Sequence, residues 1–119
     1  MDLTSFNEIN LPGGFHLRAV QISSVEMIDP LGRPALAKSV IEGKNISILI
    51  ISLPDNETSI SIYHEILEAL TVAYDSPPES VMMMNEADFE VAAYEAHKKF
   101  GFATPSSVLL FLRGYGFYE

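Results

Sequence analysis

From Glu57 to Tyr74 apolar side chains recur at Ile60, Tyr63, Leu67 and Leu70, with a second row at Ile62, Ile66, Ala69 and Ala73. Two such rows cover most of a helix circumference, so the spacing predicts a helix that is largely buried. Ahead of it, Ile46 to Leu53 is rich in β-branched residues and predicts a strand. Pro54-Asp55-Asn56 ends that strand, and Asn56 or Thr58 is expected to cap the helix. Glu42-Gly43-Lys44-Asn45 ahead of the strand favours a hairpin with Ala35 to Ile41, although Ala-Leu-Ala-Lys can also wind as a helix. Phe15 to Ile28 predicts one more strand, and Asp29 to Pro34 is the dense turn chemistry where strands are expected to meet.

Beyond the long helix, Asp75 to Glu79 is a connector. A second helix is expected from near Asn85, with Phe89, Ala92, Ala93 and Ala96 on its inner face and Gly101 as its terminal glycine. Thr104-Pro105 opens a third, which Val108, Leu109, Phe111 and Leu112 continue to Gly114. The order predicts one α+β domain over residues 1–119: a small antiparallel sheet followed by three helices, with residues 1–12 as a loose arm ended by Pro12-Gly13-Gly14. Met82-Met83-Met84 is expected to fill gaps in the core. The aromatic stretch Arg113 to Tyr118 is expected to pack back on the sheet or onto a second subunit, giving a homodimer.

Composition narrows the function classes. The chain has 119 residues and 48% apolar content, enough for one packed core. Sixteen acidic against seven basic side chains leave a net charge of -9, which argues against nucleic acid and anionic membrane surfaces as partners and favours cations. There are no cysteines, so thiolate metal sites, cysteine nucleophiles and disulfides are excluded. MDLTSFNEIN lacks the apolar run of a secretory signal, and the expected location is the cytoplasm.

Against this background the long helix is unusual, because His64, Glu65 and Glu68 interrupt its apolar surface. Residues four apart share a helix face, so His64 and Glu68 can reach a common point in the manner of two metal ligands. Glu65 projects about 100° further round, where it can stand beside an ion and take a proton from water. Burying three such groups without partners costs several kcal/mol, and a divalent cation or a water-filled cleft relieves that cost.

His64-Glu65-Ile66-Leu67-Glu68 resembles the H-E-x-x-H helix of the zincin metallopeptidases, with glutamate in place of the second histidine. Asn85 follows Glu68 by seventeen positions and opens Asn85-Glu86-Ala87-Asp88-Phe89-Glu90. In gluzincins a glutamate at a similar interval on the following helix is the third ligand, and an acid one turn later orients a ligand histidine. The resemblance therefore implies a metal site of His64, Glu68 and Glu86, with Glu90 as the supporting acid and Glu65 as general base. It covers roughly residues 45 to 100 in the order strand, metal helix, ligand helix, and the sheet edge pairs with extended substrate in that family. It implies hydrolysis of an amide in a peptide or protein substrate, with zinc the foremost metal and an ion-free protein the alternative. One imidazole and two carboxylates make a harder site than the family's own, so Mn²⁺, Mg²⁺ or Ca²⁺ becomes more competitive. A donor for the transition state is also needed, and His97, Tyr94 and Tyr63 are the candidates.

Two other readings stand beside the hydrolase. One is a catalytically inactive protein of the same fold, serving as an interaction or dimerisation module. The other is a purely structural subunit or small-ligand binder. Taken alone, Glu86, Asp88 and Glu90 are a solvated first helical turn favoured by the helix dipole, and His97 is part of a cationic last turn.

Overall fold

The computed structural model describes residues 1–23 and 36–118. Within them a sheet of four strands carries helices packed against one face, an α+β fold. The strands are β1 (Ile9–Asn10), β2 (His16–Gln21), β3 (Ala37–Glu42) and β4 (Asn45–Ile50). The helices are α1 (Asp55–Ala73), the single turn α2 (Glu79–Met82), α3 (Glu86–Phe100) and α4 (Pro105–Gly114). The three long helices match the expected ones closely, and α2 falls in the stretch from the connector to the methionines.

Strand order is β1-β2-β4-β3. The hairpin reading holds: β3 and β4 pair antiparallel around Gly43, whose φ of +62° suits glycine in a tight turn. The sheet as a whole is mixed, however, and the expectation of a purely antiparallel one is corrected. β4 lies parallel to β2, with Leu17 opposite Ile46 and Ala19 opposite Ile48. The physical reason is the position of β4. Its Ile46, Ile48 and Ile50 point into the core with almost no exposure, and the outward Ser47 and Leu49 are half-buried. A strand this apolar is best covered when flanked on both sides, so it takes the centre and leaves β3 at the edge. Of the strand predicted from Phe15 to Ile28, residues 16–21 are strand and Ile22 and Ser23 are not, while the remainder and the Asp29 to Pro34 turn lie outside the described residues.

α1 rests on β3 and β4 and packs against α3. Ile62, Tyr63, Ile66, Leu67 and Leu70 are fully buried, as both apolar rows require. The helix begins at Asp55, earlier than predicted, with Pro54 at the cap position and no side-chain cap. The Thr58 hydroxyl instead donates to the Pro54 carbonyl at 3.2 Å, and Asp55 and Glu57 place negative charge in the first turn. At α3 the prediction holds in detail. Asn85 and Asp88 form a reciprocal capping box, and Gly101 ends the helix at φ +79°. Thr104 and Ser107 form the same device at α4.

Three expectations for the ends of the molecule and the methionine run are revised. Residues 1–12 are not a loose arm throughout, because Phe6 and Leu11 are buried and the Phe6 carbonyl accepts a hydrogen bond from the Ala19 amide at 2.9 Å. Met82 and Met83 are 61% and 91% exposed, so only Met84 of the methionine run packs against the core. The aromatic tail docks at the end of α1 rather than on the sheet: Phe117 is buried edge-on against Tyr74, whose ring also stacks on Phe15.

Gly13 lies beneath that aromatic group. It has φ +77°, and a Cβ added there would sit 2.9 Å from the Tyr74 ring. Gly13→Ala is therefore expected to cost about 2 kcal/mol through combined backbone strain and displacement of Tyr74, read as a lower urea midpoint at unchanged slope.

Candidate metal centre

The α1 surface that carries His64, Glu65 and Glu68 faces the N-terminal turn of α3. Two local features bring the helices into register. The capping box fixes α3 to start at Glu86, so Glu86 and Glu90 fall one turn apart on the same face. Ser59 on α1 has no exposed surface, and its hydroxyl accepts a hydrogen bond from the Ala103 amide at 2.8 Å and pairs with His97 Nδ1 at 2.9 Å.

The result is an imidazole with carboxylates at both nitrogens. His64 Nε2 lies 3.2 Å from Glu86 Oε1 and 3.4 Å from Glu68 Oε2. Nδ1 lies 3.5 Å from Glu90 Oε1. Glu65 is buried, and its Oε2 has no hydrogen-bond partner. One ligand atom each from His64, Glu65 and Glu68 lie within 4.8 Å of one another. Thus the five residues singled out in the sequence converge. A cavity of about 200 Å³ opens onto four of them, His64, Glu65, Glu86 and Glu90, and is lined also by Ser61, Leu36 and Ala37. A larger cleft of about 480 Å³ runs between residues 1–7 and β2. Among the described residues Asp2 and Arg18 are its only charged side chains, so of these two cavities the smaller gathers more titratable groups.

Electrostatics follow from crowding acids in a partly dry place. Burial pushes the Glu65 carboxyl up to about 7, with Glu68, Glu86 and Glu90 adding to the shift and His64 opposing it. Burial and the adjacent Glu86 raise Glu68 to about 7 as well, whereas Glu86 is lowered because Glu68 donates to it. Burial alone would lower the His64 pKa, but Glu65, Glu86 and Glu90 outweigh it and raise the value.

The three candidate transition-state donors do not line the cavity. Tyr63 is fully buried and donates to Ser107 Oγ at 2.8 Å, His97 is engaged with Ser59, and Tyr94 is exposed on α3. Leu36, Ala37 and Ser61 were not singled out in the sequence. Ser61 could have been found, since it precedes Glu65 by one helical turn on the same face. Leu36 and Ala37 reach the site only through strand pairing.

No protein-family model matches the chain, and no significant similarity to curated proteins or to solved structures was found. Among the described residues no helix is long and apolar enough to cross a membrane.

Proposed function

We propose that the protein holds a divalent ion, zinc foremost, through His64, Glu68 and Glu86, and acts as a metal-dependent hydrolase of peptide bonds similar to the zincin metallopeptidases. The observation that carries this reading is the division of acids around one ring: Glu68 and Glu86 against Nε2, Glu90 against Nδ1. A ligand imidazole commonly gives its second N–H to a carboxylate, which fixes its tautomer and orientation, and Glu90 stands where that acid is needed. The residues fit a cation in a further respect, since Glu65 Oε2 is buried and unpartnered beside a cavity.

A bound divalent ion would supply Lewis-acid activation of water and of the substrate carbonyl. The chain supplies the proton handling. Glu65 takes a proton from the attacking water and passes it to the leaving amine, a task suited to a carboxyl with a pKa of about 7.

The second reading, an inactive protein of the same fold that serves as an interaction or dimerisation module, is favoured by the two exposed methionines, Met82 and Met83, just ahead of α3. Metal analysis tests the main reading. Wild-type protein purified without chelator is expected to carry stoichiometric zinc, and His64→Ala to lose it, with affinity falling at least about a hundredfold. Equal, near-zero metal in both proteins would remove the proposal.

A further inference from the structure

The cavity beside His64 has two unlike walls. α1 packs against both β3 and α3, so its His64 and Glu65 form a floor between an apolar side, Leu36 and Ala37 at the start of β3, and an acidic side, Glu86 and Glu90 at the start of α3. Leu36 is 57% exposed, an uncovered aliphatic surface at the rim. Among the described residues no lysine or arginine lines the space. At about 200 Å³ it accommodates one long side chain and is too small for a drug-sized ligand.

The charges are unbalanced even with the ion in place. Glu68 and Glu86 together neutralise a divalent cation, leaving Glu65 and Glu90 uncompensated. Glu65 is buried with an oxygen that has no partner, and Glu90 is half-exposed, with only one of its oxygens directed at His64. An apolar wall facing an acidic one matches a side chain with an aliphatic stem and a cationic head, which buries the stem and keeps the head among charges and water. The net charge of -9 draws such groups toward the molecule.

We propose that this cleft is selective for a lysine or arginine side chain of a peptide, the stem lying on Leu36 and Ala37 and the cationic head at Glu90. The inference rests on the reading of the cleft as a peptide-hydrolase site and specifies its substrate class.

The test uses labelled peptides identical except for a central lysine, arginine, norleucine or glutamate, titrated by fluorescence anisotropy into the zinc-supplemented protein, with zinc content measured on the same samples. Lysine and arginine peptides are expected to bind roughly fivefold more tightly than the norleucine peptide, and the glutamate peptide most weakly. The advantage should shrink at high salt. Leu36→Lys, at an exposed position outside the ligand set, is expected to erase the preference while leaving zinc content unchanged. Equal binding of the lysine and glutamate peptides, binding of none of them, or a preference that survives Leu36→Lys would overturn the proposal. A cationic preference in a protein that holds no zinc supports it and removes the metal reading alone.

Discussion

Glu65→Gln is expected to reduce peptide hydrolysis about a thousandfold and to leave zinc content unchanged, because it removes a proton acceptor without removing a proposed ligand. Glutamine keeps the shape and the burial of the side chain, so the fold has no reason to shift. Removing a buried carboxyl with a pKa of about 7 should, if anything, stabilise the metal-free protein. Activity on a quenched-fluorescence peptide mixture, measured beside zinc content and thermal midpoint, separates the roles. An unchanged rate would mean that Glu65 carries no proton in the reaction. Loss of zinc together with activity would place Glu65 among the ligands, an arrangement its distance to His64 and Glu68 also permits.

The metal-free protein is expected to become more stable as the pH falls from about 8 to about 5, with Glu65 contributing about 3 kcal/mol. The sign follows from the direction of the shift. An acid whose folded pKa is raised from 4.5 to about 7 favours the folded state when protonated. Its contribution is fully present below about 4.5, declines as the pH climbs toward 7, and is gone above that. His64 acts in the same direction, because its raised value gives stability below the ordinary 6.5 that is lost as the pH rises through the folded pKa. Glu86, lowered by its neighbours, opposes the trend only below its ordinary 4.5. Glu68, raised to about 7 as well, acts in the same direction as Glu65. Urea midpoints in chelator across this range provide the measurement, and Glu65→Gln should reduce the slope, with Glu68 and His64 carrying the remainder. Zinc should reverse it, since an ion binds the deprotonated ligands. A flat profile in chelator would show that the acids do not meet in a dry site.

Much of this arrangement was legible in the sequence, for identifiable reasons. His64, Glu65 and Glu68 lie within little more than one helical turn, and the helical period alone determines which of them share a face. Glu86 and Glu90 needed more, namely the interval from Glu68 and a helix start near Asn85. The parallel pairing of β2 with β4 was not legible, because local alternation says which face of a strand is buried but not which strand lies beside it. The placement of the candidate donors away from the cavity was not legible for a related reason. Tyr63 adjoins His64 in sequence yet points about 100° away into the core, and His97 is already occupied by Ser59, a contact formed across 38 positions. The methionine run was misread because its composition resembles core while the short turn α2 directs Met82 and Met83 to solvent.

The buried Ser59 hydroxyl bears on which ion the protein would accept. Because one atom ties α1 both to His97 on α3 and to the Ala103 amide that leads into α4, the separation between the two acid-bearing helices has little freedom to widen. Calcium needs six to eight oxygens at about 2.3–2.6 Å, whereas zinc is content with four donors at about 2.0–2.2 Å. In the site proposed above, a helix pair pinned in this way would limit how far the two backbones can part to admit a larger coordination shell.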